Sequence, residues 1–160
     1  MLWKNPPVIK IYEALGALAD KRLKEGKDSE GKKEWRVYSS SGNKFYTIRY
    51  DTDKNAIMTN DNGSYWVGYL GYPAITFLMS IGKIKYQQEF SEALKGIKWK
   101  DVNTKFKNDY DKTIKYCQKV IQAHGHNLKE FLQEVKNIEE QIGELKIRKL
   151  GKRVKPPKGY

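Results

Sequence analysis

Residues 106–145, FKNDYDKTIKYCQKVIQAHGHNLKEFLQEVKNIEEQIGEL, carry two apolar seams separated by a glycine. Phe106, Tyr110, Thr113, Cys117, Val120 and His124 recur at alternating steps of four and three, with Val102 one turn earlier. After Gly125 the spacing returns in Leu128, Phe131, Val135, Ile138, Ile142 and Leu145. Such steps keep side chains on one stripe of an α-helix, so the stretch predicts an antiparallel helical hairpin. Asn127 with Glu130 three residues on is a capping-box-like start for the second helix. Each helix would be about 30 Å long at 1.5 Å per residue.

Upstream the period changes. Asn5-Pro6-Pro7 followed by Val8, Ile11, Tyr12, Leu15, Leu18, Ala19 and Leu23 reads as an amphipathic helix with Gly26 as its stop, and residues 24–34 as an exposed loop. From Trp35 the pattern alternates. Trp35 to Tyr38 and Lys44 to Tyr50 predict two strands, the second with Phe45, Thr47 and Arg49 on one face and Tyr46, Ile48 and Tyr50 on the other. Ala56 to Thr59 is a short third strand, and Ser64 to Leu70 is a fourth strand or an irregular aromatic segment. Gly71-Tyr72-Pro73 opens a short apolar helix ended by Gly82. Lys83 to Tyr86 alternates like an edge strand, and Phe90, Ala93, Leu94 and Ile97 suggest a helical turn or two. The expected fold is therefore α+β, with an N-terminal helix, a small antiparallel sheet of three to four strands, a short helix and the C-terminal hairpin. Residues 1–99 would form a small α+β domain. The hairpin, 100–150, would pack on it or project from it, and 151–160 would be a basic tail.

The 160 residues carry 31 Lys plus Arg against 19 Asp plus Glu, a net charge of +12. Residues 100–124 hold six Lys against three Asp, and 127–145 are acidic. Over 146–160 there are seven basic side chains and no acid: Lys146, Arg148, Lys149, Lys152, Arg153, Lys155 and Lys158. A terminal basic arm is a footprint of phosphate-backbone binding, and equally of a solvated tail. Lys105, Lys112 and Lys119, seven apart, form one helical stripe that could touch phosphates or pair with Glu130, Glu134, Glu139 and Glu140 on the neighbouring helix. Lys outnumbers Arg 26 to 5, which favours point charges over bidentate forks and is compatible with a thermophile's composition. Tyr65, Trp66 and Tyr69, set among Asn60, Asp61, Asn62 and Ser64, could stack on bases, or could be the sheet's own core.

Catalytic chemistry finds little material. Cys117, the single cysteine, excludes an intramolecular disulfide and falls on an apolar seam, where a thiol acts as a small hydrophobe. His124 and His126 flank a helix–helix turn, where capping explains them. Asp51-x-Asp53-x-Asn55 begins like a calcium loop, but Ala56 replaces the required glycine and Asn62 the bidentate glutamate, and a hairpin turn accounts for the same residues. No phosphate-cradling glycine loop occurs. No catalytic residue, metal site or cofactor is expected. No run approaches the roughly 18 apolar residues of a membrane span, so neither a membrane helix nor a membrane partner is expected, and the lone cysteine fits a reducing, cytoplasmic setting.

Residues 36–80 resemble a SWIM module, a small zinc-binding ββα unit. The likeness lies in Val37-Tyr38-Ser39-Ser40-Ser41-Gly42-Asn43-Lys44-Phe45-Tyr46-Thr47-Ile48 and in Gly71-Tyr72-Pro73-Ala74-Ile75-Thr76-Phe77-Leu78. The family's Cys/Cys/Cys/His ligands would fall near Met58, Asn60, Tyr72 and Ala74, so the resemblance implies binding to DNA or protein without zinc.

The leading expectation is a non-enzymatic nucleic-acid-binding or nucleoprotein-associated protein with sequence-independent electrostatic contacts through 146–158 and the basic helix face. The alternative is a protein–protein adaptor for an acidic partner, or a homodimer, using the hairpin seam. A third class is an enzyme centred on loop 60–72.

Overall fold

The computed structural model describes residues 1–158. The fold is α+β. Helix α1 (Ile9–Ala19) leads into a sheet meander of β1 (Leu23–Lys27), β2 (Lys33–Tyr38), β3 (Phe45–Asp51) and β4 (Ala56–Thr59). A single π-helical turn, Gly63–Val67, precedes α2 (Tyr72–Ser80) and α3 (Gln88–Ala93). Helices α4 (Trp99–Lys105), α5 (Tyr110–Ala123) and α6 (Leu128–Leu145) follow, and β5 (Arg148–Lys149) returns to the sheet. The strand order is β1-β2-β3-β4-β5, antiparallel except where β5 runs parallel to β4.

The hairpin of α5 and α6 matches its expected turn and cap. Gly125 takes a φ of +84° at the turn, and Asn127 accepts from the Glu130 N–H at 3.1 Å. Its seam is filled from within the chain. Cys117, Ile121, Phe131 and Ile138 are fully buried in the same hydrophobic cluster as Ile11, Leu15 and Ile75. The apolar stripe a partner chain would have completed is therefore spent on α1 and α3, which packs the hairpin onto the sheet's helices.

Several local expectations are corrected. The helix over 100–124 is broken, because Lys107 and Asn108 take φ values of +53° and +60° and Asp109 starts α5 by accepting from the Asp111 and Lys112 N–H groups. On α5 the buried seam position is Ile121, while His124 is exposed. The first helix stops at Ala19, not beyond Leu23, and the supposed loop 24–34 contains β1. That strand is polar on both faces because it lies at the sheet's edge, held by pairing such as Gly26 with Glu34. Arg36 packs over Gly26, where a Cβ would lie 2.5 Å from its Nε, and donates to Lys27 O at 2.7 Å. Lys83 to Tyr86 forms no strand. Instead Gln141 accepts from Lys85 N and donates to Lys85 O, at 2.7 and 2.9 Å, so a side chain replaces the missing neighbour strand. Finally, the sheet has five strands, the last drawn from the basic segment taken for a tail. Lys149 N donates to Met1 O at 2.8 Å and Leu150 N to Ile57 O at 3.1 Å.

The strand faces are as expected: Tyr46 and Ile48 lie inside, and Tyr50 meets Phe77 of α2 at 5.6 Å. Asp51 to Asn55 is a turn, in which Asp51 accepts from Lys54 N and Asn55 is left-handed. The Asn55 side chain then donates to Leu145 O at 2.8 Å, fastening the end of α6 to the sheet.

Candidate nucleic-acid interface

Breaking the 100–124 helix does not scatter its lysines. Lys105 ends α4, and Lys112 and Lys119 lie on α5, yet all three line one open groove of about 310 Å³ together with Lys115, Phe106 and Tyr116. The Phe106 and Tyr116 rings approach to 6.3 Å, and Lys105 Nζ stands 5.5 Å from the Phe106 centroid. The groove is thus an aromatic floor ringed by four exposed ammonium groups. None of these lysines is ion-paired to α6 among the described residues, so the alternative pairing with Glu130, Glu134, Glu139 and Glu140 is not formed.

The C-terminal basic residues split into two groups. Arg148 and Lys149 are in β5, with Lys149 Nζ 4.9 Å from the Trp3 ring, and Lys146 caps α6 in a left-handed conformation. Lys152, Arg153, Lys155 and Lys158 are exposed. Among the described residues, hydrogen bonds tie this stretch to the body: Arg153 donates to Tyr65 O at 3.0 Å and Asn60 donates to Lys155 O at 3.4 Å.

The aromatic segment is an irregular turn, one of the two forms expected for it. Trp66 is 67 % exposed and meets Tyr65 edge-on at 4.6 Å, while the Arg153 guanidinium lies 4.9 Å from the Tyr65 ring. Tyr69 is wedged instead, its phenol packed where a Cβ on Gly63 would lie 2.1 Å away. Trp66 is thus the most exposed of the three rings, while Tyr65 and Tyr69 are half-buried. Nearby Asp61 is buried and accepts from Thr59 Oγ1 at 2.9 Å and Ser64 Oγ at 2.7 Å, so it holds the turn's shape. The positions matching SWIM ligands, Met58, Asn60, Tyr72 and Ala74, are taken up in packing or hydrogen bonds of the fold.

Cys117 is fully buried, and burial pushes its thiol up to about 12, which leaves it protonated and inert at neutral pH. His124 Nδ1 bonds Val120 O at 2.9 Å, and His126 lies edge-on to Phe90 at 5.2 Å.

A second concavity was invisible to sequence spacing. A polar cleft of about 300 Å³ lies between α1, the β2–β3 turn and α4, and among the described residues its lining includes Lys10, Glu13, Arg22, Lys44 and Lys100. Beneath it runs a coupled set of ionisable groups. Burial opposes the charge on Lys10, but Glu13 at 3.6 Å, with Tyr69, Tyr110 and Asp61, holds its pKa above the usual lysine value. Burial pushes the Tyr72 and Tyr69 phenols up to about 12, against the pull of Arg22 and Lys10 respectively. Strongly perturbed groups beside a cleft mark a candidate functional site.

No described helix is long and apolar enough to cross a membrane. The model of a family described as "Uncharacterised conserved protein UCP014422" matches residues 3–148. No curated protein and no solved structure matches the chain.

Proposed function

The chain belongs to this family, and from its surface chemistry we propose that it is a non-enzymatic nucleic-acid-binding protein with mainly electrostatic, sequence-independent contacts. The observation that carries the reading is the groove in which Lys105, Lys112, Lys115 and Lys119 ring Phe106 and Tyr116. A phosphodiester strand needs cations spaced along its backbone and an apolar floor for its sugars or bases, and the groove supplies both. Exposed Trp66 beside Tyr65 and Arg153 is a second stacking platform, extended by Lys152, Lys155 and Lys158. Ammonium groups read charge and not base edges, which matches contact without sequence preference. The likeness of residues 36–80 to a SWIM-type module, with its DNA or protein partners, supports the same class. A reducing, cytoplasmic setting goes with this reading, resting on Cys117 as the single cysteine.

Fluorescence anisotropy with random-sequence DNA and RNA over a series of salt concentrations tests it. On duplex DNA the slope of log K against log salt is about −0.9 per phosphate neutralised. Replacing Lys112, Lys115 and Lys119 with Ala should make the slope shallower by roughly 3 and weaken unrelated sequences alike. A slope unchanged by that replacement removes the groove from the interface, and no binding at low salt refutes the function.

A further inference from the structure

The rings in the groove of α4 and α5 are not needed by the core. Neither Phe106 nor Tyr116 belongs to the hydrophobic cluster that fills the protein. Tyr116 is 36 % exposed and Phe106 is half-buried, so apolar ring surface faces solvent where a helix exterior ordinarily carries polar side chains. The left-handed residues Lys107 and Asn108 bring the two together. They follow the end of α4 at Phe106 and turn the chain so that this ring meets Tyr116 on α5. The ring planes are tilted by 57°, so the pair is not stacked on itself and keeps π surface for another ring.

The cations are arranged along these rings. Lys112, Lys115 and Lys119 flank Tyr116 on one face of α5 at steps of three and four, spread over about 10 Å of helix axis at 1.5 Å per residue. Lys105 closes the groove from the end of α4. A row of cations beside open ring faces is the combination that single strands require: the row follows the phosphates, and the rings take unstacked bases. A duplex would use the cations alone, because its bases are stacked on one another and their π faces are covered. An acidic protein segment would likewise match the ammonium groups and leave the rings unused. No Arg, Asn, Gln, Asp or Glu side chain lines the groove among the described residues, so bidentate reading of base edges is missing. Stacking needs no such reading, since every base has a π face.

We propose that this groove binds single-stranded nucleic acid in preference to duplex, with Phe106 and Tyr116 stacking on bases and the four lysines meeting phosphates. The proposal rests on the nucleic-acid reading above and narrows its partner to a strand with unpaired bases.

The test is fluorescence anisotropy of the full chain with three labelled probes of equal length: oligothymidylate, oligouridylate and a random-sequence DNA duplex. At least one single strand should bind about tenfold or more tighter than the duplex, and the tighter of the two identifies the strand as DNA or RNA. Tyr116→Ala should weaken that strand by about 5- to 150-fold, the equivalent of 1–3 kcal/mol of stacking, and should leave duplex binding within about twofold of the parent. Its salt slope should not change, whereas Lys115→Ala should make the slope shallower by about 0.7. Tyr116→Phe keeps the π face and should bind as the parent does. A loss confined to the single strand cannot come from unfolding, which would remove both modes together. Duplex binding as tight as single-strand binding overturns the proposal while leaving the nucleic-acid reading in place. So does a single-strand affinity untouched by Tyr116→Ala, which would place the strand elsewhere on the surface. Absence of binding to all three probes at low salt overturns both, and polyglutamate binding tighter than either strand would assign the groove to an acidic protein instead.

Discussion

Tyr12 on α1 and Phe131 on α6 meet edge to face, with ring centroids 5.1 Å apart and planes at 83°. Phe90 of α3 packs on the same Phe131 ring at 5.4 Å. Phe131 is thus the point where the hairpin, the first helix and α3 share one core. Truncating it should open a cavity that none of three elements can close alone. Phe131→Ala should cost about 3–5 kcal/mol, measured by chemical denaturation, whereas Leu132→Ala, at a side chain 41 % exposed, should change stability by less than about 0.5 kcal/mol. A small loss at Phe131 would mean that the hairpin folds apart from the sheet.

The hairpin was legible because its period survives everything packed on it. Phe131, Val135, Ile138 and Ile142 are buried as their spacing requires. The α4–α5 break was not, since Phe106 and Tyr110 keep the helical step across it. What breaks the helix is the left-handed pair Lys107 and Asn108 and the cap at Asp109, features with a weak sequence signal. Edge strand β1 and the two-residue β5 carry no apolar alternation, because their stability comes from backbone pairing with β2 and β4. The aromatic cluster Tyr65, Trp66 and Tyr69 could be named from sequence, but not that the Tyr69 phenol packs against Gly63. The cleft could not be found at all: Lys10, Arg22, Lys44 and Lys100 come from four separate parts of the chain, and only the fold makes them neighbours.

Gly71 and Gly143 should respond in opposite directions to the same substitution. A Cβ on Gly71 would sit 2.1 Å from Asp61 Oδ2, and Asp61 cannot withdraw without losing Thr59 and Ser64. Gly71→Ala should therefore cost about 1–3 kcal/mol through overpacking. Gly143, inside α6 with nothing within 4 Å of its Cβ position, should gain up to about 1 kcal/mol on becoming Ala, through helix propensity. Thermal melts of the two variants provide the comparison.

Glu134 predicts a pH effect. It is buried, accepts a hydrogen bond from Gln87 N and lies near Glu89. Burial raises its pKa above the ordinary 4.5, the Gln87 N–H opposes this and Glu89 adds to it. The folded state therefore holds the proton more tightly than the unfolded chain. The stability so contributed is complete below the ordinary value and is lost as pH rises through the folded pKa. Glu134→Gln keeps an acceptor for Gln87 and cannot ionise. It should melt higher than the parent at neutral pH, and the difference should shrink on acidification; a constant difference across that range would refute the assignment.

The C-terminal basic segment has a structural half and an exposed half, and the two should separate by length. A chain ending at Leu145 loses β5, the Leu150 N–H bond to Ile57 O and the side chain of Ile147, which is 4 % exposed. Loss of that side chain alone should cost about 1.5–3 kcal/mol, so weakened nucleic-acid binding by such a chain would confuse unfolding with lost charge. Ending the chain at Gly151 keeps β5, Ile147 and Leu150 while removing Lys152, Arg153, Lys155 and Lys158. This shorter arm should melt close to the full chain, because the side chains of Lys152, Arg153, Lys155 and Lys158 are exposed. If it also binds nucleic acid as tightly and with the same salt slope as the full chain, the exposed arm makes no phosphate contacts and the groove of Lys105 to Lys119 carries the interaction alone. A shallower slope assigns the difference to the four removed cations, each worth about 0.9 in the exponent on duplex DNA.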